Sequence, residues 1–530
     1  MEDASEKRSR KRQKLNKGDD DDLDDEPPTD RNHLHRRTLS SSVSPPPLRR
    51  ALQSPQVMKS PFQLTWIQDL PGASNVDAVS LKDILGDPLI AECWEFNYLH
   101  DLDFLMDAFD EDVRNLVKVH VIHGFWKQED TSRQNLKLQA SNYPNITLHT
   151  AFMPEMFGTH HSKMLILIRH DATAQVIIHT ANMIAFDWTN MAQAVWRSPL
   201  LPEIPKDITL PESNEIGSGS KFKIDLLNYL KAYDTKRTIC KPLIEQLSKY
   251  DFSAIRAALV ASVPGKQDIE TDAGTSWGWS GLKNVLSSVP VKTNEPEIVV
   301  QISSIATLGA TDKWLEKTLF SSLGASKNMI SKPKFDVIFP TADEVRRSLN
   351  GYQSGSAIHT KIQSAAQVKQ LQYLKPIFCH WAGDGAQHTS ASSTPVSDAG
   401  RKRAAPHIKT YVRFGDKNMS SIDWMLVTSA NLSKQAWGEA INSAGEVRVC
   451  SYEIGVMVWP ELYGDDATMI PTFKTDSPPA ALKTKSKIVV GARMPYDLPL
   501  VPYRKGDVPW CATASYTEPD WLGETWKVSS

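Results

Sequence analysis

Cysteine is scarce in this sequence: Cys93, Cys240, Cys379, Cys450 and Cys511 are the five in 530 residues, and no two form a Cys-x-x-Cys pair. An odd, scattered set argues against a disulfide framework and against a structural zinc site, and predicts buried thiols in a reducing compartment. Long apolar runs are missing as well. Runs such as Met164–Ile168 and Val176–Ile178 are strand-sized and fall far short of the ~20 residues that span a bilayer, so no membrane association is expected. The chain opens on charge rather than on an apolar signal-peptide core, which argues against secretion. Neither sign of charge dominates, since 60 Lys and Arg face 62 Asp and Glu for a net charge of −2. Without a global positive field, nucleic acid can be recruited only through a local groove.

Apolar side chains are also rare in residues 1–60. That segment holds a basic run (Lys7, Arg8, Arg10, Lys11, Arg12, Lys14), an acidic run (Asp19–Asp22, Asp24, Asp25, Glu26) and the dipeptides Ser44-Pro45, Ser54-Pro55 and Ser60-Pro61. It is expected to be a disordered tail, because little burial is available to offset ordering entropy. The basic run fits a nuclear-import signal and so a nuclear protein, and the Ser-Pro sites fit phosphorylation. From Pro61 the pattern becomes globular. Val117–Ile122, Met164–Ile168 and Val176–Ile178 read as strands, and Leu99–Val113 reads as a helix with apolar residues at three-to-four spacing. Such alternation predicts an α/β fold with covered sheets. Glu212–Ser220, Gly265–Ser276 and Ala382–Ala405 read as polar surface stretches.

What is present, and informative, is a repeat of very long period. His161-Ser162-Lys163 opens the first strand run, and Thr180-Ala181-Asn182 closes the next. Roughly half of the folded chain later, His407-Ile408-Lys409 precedes Thr410–Phe414, and Ser429-Ala430-Asn431 ends Trp424–Thr428. Each Asn is followed six residues on by a tryptophan, Trp188 and Trp437. His and Lys at i and i+2 of a strand share one face. With an Asn amide from a neighbouring strand end, they make a compact anion receptor. Two such sets suit phosphoryl transfer: ammoniums and amides stabilise the non-bridging oxygens, one imidazole attacks phosphorus, and the other handles the leaving group's proton.

These motifs closely resemble the phospholipase D superfamily, and within it the tyrosyl-DNA phosphodiesterase branch. Lipid-cleaving members carry an Asp five residues after the Lys; here those positions are Ile168 and Phe414. The flanks Phe157-Gly158-Thr159-His160-His161, Pro406-His407-Ile408-Lys409-Thr410-Tyr411 and Thr428–Lys434 also fit that branch, whereas Pro509-Trp510-Cys511-Ala512 departs from its more aromatic pattern. The resemblance implies two similar α/β sandwich halves, 61–252 and 253–530, related by a pseudo-two-fold with the active site at their interface. It implies His161 as nucleophile through a phosphohistidine, and His407 as acid and then base. Lys163, Lys409, Asn182 and Asn431 would hold the phosphate. Gln193 and Glu453 match two supporting positions, where they would orient the histidines. Ser303, Ser304, Thr307 and Ser433 match DNA-contacting positions, and Phe157 could stack on a base. His160 is expected to face away from its neighbour. No metal or other cofactor is expected. The implied substrate is a single-stranded or duplex DNA end carrying a 3′ tyrosyl peptide derived from a topoisomerase, processed by a monomer. Two other readings stay open at this point: a lipid phosphodiesterase or nuclease of the same superfamily, and a DNA-end-binding scaffold without turnover.

Overall fold

The apolar runs become strands buried on both faces, the pattern expected where helices and a second sheet cover a sheet on either side. In the computed structural model, Met164 and Ile166 enter one core while Leu165 and Leu167 enter another. The model describes residues 55–269, 274–292, 295–328, 331–382, 396–480 and 484–527. The basic and acidic runs and Ser44-Pro45 lie outside the described residues. All five cysteines are buried and unpaired. Among the described residues, no helix is long and apolar enough to cross a membrane.

The folded part begins before residue 60, earlier than the composition suggested. Gln56–Met58 is strand β1, paired in parallel with Ile488–Val490. Ser60 is buried, and its Oγ donates to the Phe62 carbonyl and accepts from the Arg493 amide. Ser60-Pro61 is therefore a structural element rather than an open phosphorylation site. A three-residue edge strand carries too little apolar signal to be read from sequence.

The first sheet is built from β2 (Phe62–Leu64), β3 (Ile90–Phe96), β4 (Lys118–His123), β5 (Ile146–Thr150), β6 (Met164–Arg169), β7 (Thr173–His179), β8 (Ala194–Arg197) and β9 (Leu201–Pro202), in the order β2-β8-β7-β6-β3-β4-β5 with β9 on β7. The second takes β10 (Ala258–Ser262), then, after β11 (Gly265–Asp268), β12 (Glu297–Gln301), β13 (Lys334–Ile338), β14 (Phe378–Cys379), β15 (Thr410–Phe414) and β16 (Ile422–Thr428). After β17 (Glu446–Val449) it adds β18 (Glu453–Val458), β19 (Ala467–Thr472) and β20 (Ile488–Arg493). Its order is β1-β20-β19-β16-β15-β12-β13-β14, with β18 joining β10 to β16. Seven strands of each sheet correspond, and β1, β19 and β20 extend the second. The parallel trio β3-β4-β5 matches β12-β13-β14, the antiparallel β6-β7 matches β15-β16, and the pairs β2-β8 and β10-β18 match. This is the expected pair of α/β halves.

Two local expectations change. The helix read over Leu99–Val113 is only Leu102–Asp107, and its start is set by the Asp101 carboxylate, which accepts from the Asp103 and Phe104 amides. The polar stretch Gly265–Ser276 opens with strand β11, which pairs with β17 in a ribbon of its own.

Candidate active site

Both His-x-Lys motifs sit immediately before a central strand, β6 or β15, at its junction with the other half. The register places the two asparagines equivalently: Met164 pairs with Ile178 and Thr410 with Val427, and each Asn lies four residues beyond that partner. The backbone then hooks the halves together. His161 N–H donates to the Tyr452 carbonyl at 3.0 Å, and His407 N–H donates to the Ala192 carbonyl at 3.1 Å. Tyr452 and Ala192 directly precede Glu453 and Gln193. Each histidine of one half is thereby laid against a polar side chain of the other.

The rings complete that exchange. His161 Nδ1 lies 2.9 Å from Glu453 Oε2, which also accepts from Ser429 Oγ. A carboxylate there accepts a hydrogen bond from Nδ1–H and leaves Nε2 with its lone pair. His407 Nδ1 has two neighbours, Gln193 Nε2 and Asp187 Oδ2, each at 3.0 Å. The Gln193 amide is oriented by Thr180, whose hydroxyl donates to Oε1 at 2.7 Å. Its Nε2 also lies 3.3 Å from Asp187 Oδ2, which accepts from the Asn182 amide at 2.6 Å. Asp187 is thus the acceptor for a protonated His407, and Gln193 braces that carboxylate.

Charge is tightly confined here. Burial pushes His161 below the ordinary histidine range, aided by Lys163 and Lys409 and opposed by Glu453. Burial pushes His407 down to about 3, with Lys409 adding to the effect. Lys163 is pushed down to about 8 by burial, and Lys409 well below its usual value by burial and by the charge of Lys163. Burial works to raise Glu453 and Asp187, yet their histidine partners outweigh it and hold both carboxyls below the ordinary range. Lys163 Nζ donates to the His161 carbonyl at 3.1 Å, and Lys409 Nζ donates likewise to the His407 carbonyl. Neutral imidazoles beside strained ammoniums make a site that gains by receiving an anion.

A cavity of about 390 Å³ opens over this cluster, and His161, His407, Asn182, Asn431 and Glu453 line it. Ser303, Ser304, Ser433 and Phe157 line it too, with Phe157 76% exposed. Asn431 Oδ1 accepts from the Ser303 and Ser304 amides at 3.1 and 2.9 Å, leaving its N–H donors for a ligand. Ser433 also caps the short helix Lys434–Trp437 through the Ala436 amide. Lys163, Lys409 and Gln193 lie beneath the lining, fully buried. Thr307 does not join the site; it is exposed and accepts from Gln367 Nε2. His160 turns away, with its ring nitrogens 2.8 Å from the Asn97 carbonyl and 3.0 Å from Tyr233 Oη. The matched tryptophans, Trp188 and Trp437, are buried in two equivalent short helices, Ala185–Thr189 and Lys434–Trp437.

The family model described as tyrosyl-DNA phosphodiesterase matches residues 61–504. The chain belongs to the tyrosyl-DNA phosphodiesterase family. Curated relatives extend the match over most of the chain. The probable tyrosyl-DNA phosphodiesterase of Schizosaccharomyces pombe is 33% identical, covering 89% of this chain and 97% of its own length. Tyrosyl-DNA phosphodiesterase 1 of Arabidopsis thaliana is 30% identical over 90% of this chain and 78% of its own. The fold agrees as well: the crystal structure of the yeast tyrosyl-DNA phosphodiesterase superposes with a TM-score of 0.60 at 22% identity, covering 85% of this chain and 98% of that one.

Sequence reasoning missed Asp187, Tyr98 and His359. The Tyr98 ring lies 5.6 Å from that of His161, and His359 lines the cavity with its basicity lowered by burial and by Lys409. Asp187 breaks the repeat. It lies five residues after Asn182, where the second half has Ala436 after Asn431. That mismatch was the one available signal.

Proposed function

We propose that the protein is a DNA repair phosphodiesterase that hydrolyses the bond between a 3′ DNA phosphate and the tyrosine of a trapped topoisomerase. Family membership supports this over a lipid substrate, as do the apolar Ile168 and Phe414 where lipid-cleaving members carry Asp. The observation that carries it is the reciprocal pairing: His161 backed by Glu453, and His407 backed by Asp187 and Gln193, facing one cavity.

In the first step His161 Nε2 attacks phosphorus and the P–O bond to tyrosine breaks. His407, protonated on Nε2 and held through Nδ1 by Asp187, gives its proton to the departing phenolate. Binding the phosphate anion raises the basicity of His407, Lys163 and Lys409, all lowered in the free protein. The lysines and the Asn182 and Asn431 amides stabilise the non-bridging oxygens. In the second step neutral His407 takes a proton from water, water attacks phosphorus, and the P–N bond breaks. The products are a DNA 3′ phosphate and a free tyrosyl peptide. One chain supplies every group, in keeping with a monomeric enzyme, and the basic run near the N-terminus would direct it to the nucleus.

The test is a 3′-phosphotyrosyl oligonucleotide incubated with excess enzyme. Release of tyrosine and of a 3′-phosphate end is expected, and it should persist in EDTA because charge stabilisation is assigned to lysines. Absence of release, or activity abolished by EDTA and restored by a divalent metal, would refute the mechanism.

A further inference from the structure

The parallel strands β3, β4 and β5 all end on the edge where His161 enters the site, since Met164 pairs with Phe96 at the end of β3. Loops at the carboxyl ends of such strands are where α/β sheets bind ligands. Beyond β4 and β5 these loops enclose a second cavity, of about 400 Å³, which the mechanism does not use. Trp126 and Arg133 come from the β4 side, Phe152 from the β5 side, and Lys236 and Arg237 from the turn after helix Gly219–Lys231. Tyr233 lines its floor and reaches His160, the neighbour of His161, through its hydroxyl.

The chemistry of this notch is one-sided. Among the described residues, no carboxylate lines it. Of the acids beside its lining in sequence, Asp130 caps helix Thr131–Ala140, Asp234 accepts from the Ile239 and Cys240 amides, and Glu129 is exposed outside the lining. Lys236 Nζ stands 5.6 Å from the Phe152 ring centroid, and Lys127 Nζ 5.3 Å from that of Trp126, which is 55% exposed. Arg133 Nε is buried without a partner. The equivalent edge of the second half differs. Its cavity, about 570 Å³ beyond β13 and β14, pairs its cations with acids, as in His380–Asp507 at 2.8 Å and Arg346–Asp343 at 2.6 Å. An exposed indole and a half-buried phenyl ring among cations that no lining carboxylate opposes are what a single nucleic acid strand needs, a ring to stack on and charges for its phosphates. Four steps along the chain lead from Met153, in the notch, to Phe157 at the mouth of the active site. They span at most about 14 Å, on the order of four stacked nucleotides at ~3.4 Å each.

We propose that this notch is a second DNA contact, where a base stacks on Trp126 or Phe152 and Lys236 and Arg237 hold phosphates a few nucleotides from the scissile bond. The inference rests on the proposed function for its ligand, but it is tested by binding alone. Labelled oligonucleotides ending in a 3′ phosphate, about 3 and about 12 nucleotides long, are titrated against the full chain and two variants. Trp126→Ala should weaken the longer one by about tenfold. The Lys236→Ala, Arg237→Ala pair should flatten its salt dependence by about 0.7 per lost phosphate contact. The short oligonucleotide should bind all three proteins equally, which also shows that the variants are folded. Unchanged affinity and salt slope for the longer strand would overturn the proposal. So would a defect confined to substrates with short DNA and a long peptide, which would give the notch to the protein side. A wild-type chain that binds DNA this way but releases no tyrosine would refute the proposed function and leave the notch standing.

Discussion

At the scale of residues, two histidines in equivalent positions are given different partners. His161 faces one carboxylate, whereas His407 faces a carboxylate and an amide. That difference suits a nucleophile on one side and a proton carrier on the other. Asp187→Asn should therefore lower kcat by on the order of 10²-fold with little change in KM. The first-step share of the defect, read as single-turnover release of the phenol, should shrink when tyrosine is replaced by a more acidic phenol, which leaves without a proton; an equal release defect on both substrates would make Asp187 merely structural. Lys409→Gln should slow the chemical step by ~10²–10³-fold, while Lys434→Gln, in the short helix beyond Asn431, should not; equal losses in single-turnover assays would misplace the site. The pH profile has a definite sign. His161, held below its ordinary value, stays neutral down past pH 6.5, and Lys163 loses its proton as pH rises through about 8. A plot of kcat/KM should fall as pH rises through about 8, where Lys163 joins His407 in losing its proton, and a fall on going from pH 8 to 7 would contradict the assignment. The six His, Lys and Asn positions were legible because they repeat with the same offsets. Asp187 was not, because nothing answers it at Ala436. The pairing of His161 with Glu453 joins residues 292 apart in sequence, which no local pattern encodes.

At the scale of elements, the strands were legible where apolar runs are long enough to bury both faces, as in β6 and β7. Elements set by one side chain or by an edge were not. Asp101 delays the start of the helix read over Leu99–Val113 to Leu102, and β1 is visible only through its pairing with β20. The latter has a measurable consequence. Deleting residues 1–54 should leave thermal stability and turnover on short substrates unchanged, while moving the protein out of the nucleus. Deleting residues 1–60 also removes β1 and the buried Ser60 hydroxyl with its bond from the Arg493 amide. It should lower Tm by on the order of a few degrees. Equal Tm values for the two deletions would mean that β1 contributes nothing to the edge it completes.

At the scale of the whole molecule, duplication supplies two similar half-sites, and the interface makes them unequal. Each half lends its histidine to a cavity and receives its orienting group from the other. The central claim is that the first half attacks and the second moves protons, and removing each histidine separates the two steps. A phenol of pKa about 10 leaves with modest help, so in His407→Ala the His161 imidazole should still attack phosphorus and release tyrosine. Water is a poor nucleophile without a base, so the second step should stall. The decisive measurement is a denaturing gel of each variant incubated with 3′-tyrosyl DNA labelled at its 5′ end. His407→Ala should retain a covalent, acid-labile DNA adduct, and the double change His161→Ala, His407→Ala should retain none. An adduct on His161→Ala with none on His407→Ala would reverse the two roles and contradict the account.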